Sequence, residues 1–202
     1  MIVRWGLDEL EPLLHELGVE RPFVVASDRW ADLPLKATGR WNEVPTDRID
    51  DVVAATTDAD GLLAVGGGSA IDLAKAVSAE TGLPLVSVPT TYSGSEWTDY
   101  FGVRDPDRRM RGGGSGATLA AAVYEPRLTL ELPPEQSGGT ALNALAHCAE
   151  ALYVKGRNPD GDREALEGAS LIGEWLPRVL EEGHDLEART LVADEPRVQR
   201  PP

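Results

Sequence analysis

The sequence predicts an α/β fold built on a parallel sheet, followed by a helical segment. Three observations carry this. Continuous apolar runs at 23–26 (FVVA), 62–65 (LLAV) and 85–88 (LVSV) have the look of strands buried on both faces. Stretches with apolar residues three and four apart alternate with those runs, the rhythm of helices packed on a parallel sheet. From Ser137 onward the composition turns helical.

The elements follow in order. Residues 8–17 predict a helix with Leu10, Leu13, Leu14 and Leu17 on one face, and Gly18 stops it. The run 23–26 is the first strand, 49–56 a second helix, and Asp58 and Asp60 occupy the turn after it. The strand 62–65 runs straight into Gly66, Gly67, Gly68 and Ser69. A helix follows with Ile71, Ala74 and Val77 as its apolar face; Gly82 ends it, and the strand 85–88 closes at Pro89. Residues 105–117, rich in Gly, Arg and Asp, read as an exposed loop or hairpin. An apolar run at 119–124 turns at Glu125 and Pro126. Helices are expected over 141–153 and 162–180, the second interrupted near Pro177. The last residues, 191–202, hold three prolines and two arginines with little apolar content and are expected to be disordered.

Composition narrows the functional classes. Of 202 residues, 42% are apolar and 26% charged, ordinary for a chain with a real core. Lys and Arg number 19 against 34 Asp and Glu, a net charge of −15, which argues against nucleic-acid binding through a broad basic face. No window approaches the ~18 apolar residues of a membrane span. Residues 1–18 carry charge throughout and lack the apolar core of a signal peptide, so a cytoplasmic location is expected. Cys148 is the single cysteine, which excludes an internal disulfide and a cysteine-based zinc finger.

The strongest motif is GGGSAIDLAKA, residues 66–76, between a buried strand and a helix. Glycines there let a ligand approach the backbone, and the helix N-terminus offers N–H groups to a phosphate. Asp72 and Lys75 share a helix face. A tight turn with a solvated Asp–Lys pair is the competing reading. The motif is neither GxGxxG nor GxxxxGK[ST], so neither generic nucleotide fingerprint applies. A second loop, PTTYSGSEWT at 89–98, also follows a strand; Thr90, Thr91, Ser93 and Ser95 offer hydroxyls and Glu96 a carboxylate. Alone it could be a polar surface loop. Two such loops at successive strand ends favour a nucleotide-type ligand.

On these motifs the chain resembles the iron-containing alcohol dehydrogenase family, and most of all its maleylacetate reductase branch. GGGSAIDLAKA is similar to the family's glycine turn, and PTTYSGSEWT has the branch's short spacing between paired threonines and Ser-Glu. VYEPRLTLELPP (123–134) and ALNALAHCAEALY (141–153) resemble the strand, turn and helix that open the family's helical domain. The resemblance spans about residues 3–190. It implies a Rossmann-like parallel-sheet domain over 1–136, then the first helices of an incomplete all-helical domain over 137–190.

The resemblance also implies chemistry. NAD(H) or NADP(H) would bind through Gly66, Gly67, Gly68, Ser69, Asp72, Thr90, Thr91 and Ser95. Ser27 stands where many relatives carry an acidic residue on the ribose, which leaves NAD versus NADP open. Asn143 and His147 lie four apart on one helix face. Metal-dependent relatives have Asp at the first position, and a neutral amide is a far poorer ligand for a divalent cation. Asn143 therefore points to catalysis without metal, with His147 and Asn143 as the catalytic pair; a packed or capping histidine is the competing reading. His15 and His184 read as solvated, and so does the cluster Arg108, Arg109 and Arg111, for which reach to a dicarboxylate or a cofactor phosphate is the competing reading.

The implied function is reduction of maleylacetate to 3-oxoadipate, in the degradation of aromatic compounds, with a small-molecule substrate and no nucleic-acid or membrane partner. Homodimers are common in the family. The family's helical domain supplies two further histidines, which this chain lacks; a truncated or frameshifted reading frame is the simplest explanation. It predicts an inactive chain, with apolar helix faces near Leu142, Leu145 and Leu171 left uncovered and poor solubility. The alternatives are a non-catalytic dinucleotide-binding fragment and a metal-dependent alcohol dehydrogenase relative.

Overall fold

The computed structural model describes residues 1–194. They divide into two units. The first comprises Met1–Pro89 and Asp99–Tyr124, the second Thr90–Thr98 together with the chain from Glu125 onward.

The first unit is a six-stranded sheet in which every pairing is parallel. Its strands are β1 (Ile2–Trp5), β2 (Pro22–Val25), β3 (Gly39–Trp41), β4 (Gly61–Gly66), β5 (Leu85–Pro89) and β8 (Leu119–Tyr124), in the order β1-β8-β5-β4-β2-β3. The central strands β2, β4 and β5 are buried along their whole length, as their continuous apolar runs require. Three helices connect them: α1 (Leu10–Glu16), α2 (Ile49–Ala55) and α3 (Gly68–Thr81). Ile71, Ala74 and Val77 of α3 are fully buried and pack with Phe23, Val25, Val52 and Leu62 in the core. Gly18 and Gly82 follow α1 and α3 with φ of 71° and 73°, left-handed helix stops that suit glycine. The segment 105–117 is indeed a hairpin, and it starts earlier: β6 (Phe101–Arg104) pairs antiparallel with β7 (Met110–Gly114). The edge strands β1 and β3 have no counterpart in the sequence reading, because IVRW and GRW are short, half-buried and carry arginine.

Among the described residues the second unit contains three α-helices: α4 (Pro134–Ala151), α5 (Pro159–Glu181) and α6 (Leu186–Ala193). Helix α4 begins seven residues before the expected 141, with Pro134 at its first position and Gly138 and Gly139 inside it. Helix α5 is capped by Asn158, whose Oδ1 accepts from the N–H groups of Asp160 and Gly161 at 3.1 and 3.0 Å. It is not interrupted near Pro177, contrary to expectation. Pro177 removes the bond to the Gly173 carbonyl, but both residues are exposed, so water can take over that carbonyl while Ile172, Leu176 and Val179 stay buried. Helix α6 corrects the expectation of disorder over 191–202: Leu191, Val192 and Ala193 are helical, and Val192 is fully buried. The remaining tail, 195–202, lies outside the described residues. Of the leucines expected to be uncovered, Leu142 is exposed whereas Leu145 and Leu171 are half-buried. No helix among the described residues is long and apolar enough to cross a membrane.

Candidate functional site

The predicted residues fall into two groups, one in each unit. In the first, β4 ends at Gly66 with φ of 150°, a backbone state that side chains rarely adopt. A Cβ there would also lie 2.9 Å from the Ala70 Cβ. Gly67 is the N-cap of α3 and supplies no side-chain cap, so the N–H groups of the first turn, Gly68 and Ser69 among them, point out of the helix end. Side chains are absent from Gly66, Gly67 and Gly68, which leaves this backbone open to close approach.

Asp72 and Lys75 are not the solvated pair considered above. Lys75 is 1% exposed; its Nζ lies 2.9 Å from Asp72 Oδ1 and donates to the Tyr100 carbonyl at 2.6 Å. The Gly102 N–H donates to Asp72 Oδ2 at 3.2 Å. The pair therefore ties the start of β6 to α3. Asp72 remains one turn from Ser69.

In the second unit the loop Thr90–Thr98 follows β5, whose last residue Pro89 is registered opposite Gly66. Thr90 is buried, Thr91 half-buried with its Oγ1 3.4 Å from Ser93 Oγ, and Ser95 opens a short 3₁₀ turn after Gly94, at φ of 68°. Glu96 is buried, not solvated. Tyr92 turns inward: its N–H donates to Thr140 Oγ1 at 3.3 Å, and its hydroxyl lies 3.3 Å from Thr129 Oγ1 and accepts from Arg189 at 3.0 Å. On α4, Asn143 Nδ2 approaches the Ser93 carbonyl at 3.5 Å, a long contact. His147, half-buried, holds Nδ1 3.2 Å from Glu150 Oε2, which leaves Nε2 for other work.

The remaining candidates are structural or solvated. His15 and His184 are exposed. Arg111 is held at the hairpin by Asp105, with Nε 2.8 Å from Oδ2, and the Arg109 N–H donates to Asp105 Oδ1 at 2.9 Å. Burial opposes ionisation of Asp105, yet the Arg109 N–H and the Arg111 guanidinium outweigh it and hold this carboxyl below its ordinary value. Ser27 follows β2 and precedes the 3₁₀ turn Asp28–Trp30, half-exposed.

Residues 3–124 match the model of the iron-containing alcohol dehydrogenase family. The maleylacetate reductase of Pseudomonas knackmussii is 36% identical, over 93% of this chain and 58% of that protein. This chain belongs to the iron-containing alcohol dehydrogenase family. Among solved structures, the maleylacetate reductase of Agrobacterium tumefaciens superposes with a TM-score of 0.87 at 28% identity, covering 98% of this chain and 61% of that one. The maleylacetate reductase of a Rhizobium species gives 0.85 at 30% identity, with the same coverage. The chain thus spans about 58% of the length of the curated relative it matches.

The name of the iron-containing alcohol dehydrogenase family implies a metal, for which the described residues supply no complete ligand set. Among them no three His, Cys, Asp or Glu side chains come together as a ligand set. Beside His147 the helix offers the neutral amide of Asn143, a weak donor to a divalent cation. The dinucleotide that the resemblance implies is a different case. The turn at Gly66 is too tight for a Cβ, and the start of α3 has no side-chain cap, which leaves backbone N–H groups for a phosphate. The sequence reading missed Tyr92, Thr140 and Arg189. A signal existed only for Tyr92: a large aromatic inside a polar loop buries its ring and needs a partner for its hydroxyl.

Proposed function

We propose that this chain forms the dinucleotide-binding part of an NAD(P)H-dependent reductase that acts on maleylacetate, with the pyrophosphate at Gly66, Gly67, Gly68 and Ser69. The observation that carries the cofactor reading is the α3 N-terminus, glycine-built and uncapped at the end of a central parallel strand. Support for the substrate comes from the likeness to maleylacetate reductases along 93% of the chain.

When bound, NAD(P)H supplies a hydride to the carbon–carbon double bond, and a proton completes the reduction to 3-oxoadipate. This chain's residues orient and protonate. Backbone N–H groups at Gly68 and Ser69 would hold the pyrophosphate, and Asp72 would support the site by tying α3 to the start of β6. By the family resemblance Thr90, Thr91 and Ser95 would offer hydroxyls to the cofactor as well. His147 would be the proton donor: the Nδ1 contact with Glu150 Oε2 at 3.2 Å orients the ring and leaves Nε2 for the proton transfer. Asn143, on the same helix face, orients substrate or loop through its amide. No step runs through a metal, and a chelator should leave the reaction unchanged. Ser27 carries no charge, so NADH and NADPH should bind within about tenfold of each other, a difference of ~1.4 kcal/mol; exclusion of NADPH would contradict this.

The deciding experiment titrates the chain with NADH by cofactor fluorescence and then adds maleylacetate. Binding is the expected result; oxidation as well, lost in His147→Ala and reduced in Asn143→Ala, would mean that this chain carries a working site. Binding without oxidation would favour a non-catalytic dinucleotide-binding module. No binding removes the cofactor reading.

A further inference from the structure

One buried guanidinium joins four stretches of the second unit. Arg189, on α6, is 1% exposed. Its Nε donates to the Gly183 carbonyl at 2.6 Å, Nη1 to the Tyr92 hydroxyl at 3.0 Å and to Ser137 Oγ at 3.4 Å, and Nη2 to the Leu132 carbonyl at 3.3 Å. Among the described residues it has no carboxylate partner. Asp185, at the start of the same helix, caps the Ala188 N–H and pairs with Arg178 instead.

Burying an unpaired cation costs several kcal/mol, and an apolar side chain would fill the same space at lower cost. Packing alone therefore does not explain an arginine here. What guanidinium adds is direction, because its planar fork fixes several acceptors at set angles. Three of its four acceptors flank α4 and α6 or sit within α4. The fourth, the Tyr92 hydroxyl, belongs to the loop between Thr91 and Ser93.

We propose that Arg189 is a positioning residue for the loop Thr90–Thr98: by gripping the Tyr92 hydroxyl it fixes the backbone that presents Thr90, Thr91 and Ser95. The consequence for the cofactor rests on the dinucleotide reading above; the grip on the loop does not.

The test compares Arg189→Met, Arg189→Lys and Tyr92→Phe by peptide-resolved hydrogen exchange and by NADH affinity. In Arg189→Met, exchange over 90–98 should rise about tenfold while the sheet peptides 61–89 stay unchanged, and NADH should bind about tenfold more weakly. Tyr92→Phe should move both readouts the same way by less, and the double variant should be no worse than Arg189→Met. Lysine, a point charge without the planar fork, should not rescue. Faster exchange confined to 183–193, with the loop and the affinity unchanged, would overturn the proposal. If Arg189→Met does not fold, Tyr92→Phe decides: an unaltered loop and affinity overturn it equally. A wild-type chain that binds no NADH sinks the dinucleotide reading, and exchange over 90–98 then decides the grip on its own.

Discussion

The glycine turn and the threonine loop leave neighbouring strands at registered positions, Gly66 and Pro89, yet they are held by opposite means. The turn is a backbone device. Its shape comes from one left-handed glycine, a helix start and the absence of side chains. The loop is a side-chain device, secured by Thr140 on Tyr92, by Arg189 on the Tyr92 hydroxyl and by Asn143 near Ser93. A backbone device is written within a few adjacent residues. A side-chain device needs residues brought from far along the chain, and Arg189 lies 97 positions from Tyr92.

That contrast can be broken at three places. The largest effect is expected at Gly66: Gly66→Val must adopt φ of 150° and meet Ala70, costing about 2–3 kcal/mol and abolishing NADH binding. A melting curve and a titration check this; retained affinity would show that the turn is not a backbone device. The next effect is smaller. Thr140→Val keeps the shape and removes the acceptor of the Tyr92 N–H, which should cost about 1 kcal/mol and loosen only the loop, as read by hydrogen exchange over 90–98.

The smallest effect is in pH. No titratable side chain lies between Gly66 and Ile71, so the turn should ignore acid. The loop depends on α6 through Arg189, and α6 is capped by Asp185. The Ala188 N–H first, then Arg178, outweigh the desolvation of Asp185 and hold its carboxyl below the ordinary 3.8. Its stabilising contribution is therefore complete above that ordinary value and is lost as pH falls through the lowered one. The Ala188 amide resonance should titrate with a midpoint below 3.8; a midpoint at or above it would remove Asp185 as a cap.

The same division governs what could be read from the sequence. Strands β2, β4, β5 and β8 and the apolar face of α3 announce themselves through runs and spacing, because both faces of a central parallel strand are buried. The edge strands do not, since a half-buried three- or four-residue strand has no pattern of its own. The start of α4 was hidden by Gly138 and Gly139, poor helix formers, although Ser137 and Thr140 in that stretch hold Arg189 and Tyr92. The glycine turn was legible as a candidate because its chemistry is local. Arg189 was not, because nothing in an isolated arginine shows that it is buried or what it grips.

The strand order has a consequence for how the chain acquires its shape. Among the described residues strand β1 pairs with β8 alone, and β8 lies between β1 and β5. During synthesis β1 thus waits for β8, its one neighbour among the described residues, until the chain has grown past Leu119. Such a distant pairing is slow, since the intervening loop must close before any contact rewards it. The segment β2 to β5 can assemble before β8 is made, whereas β1 joins the sheet only with β8.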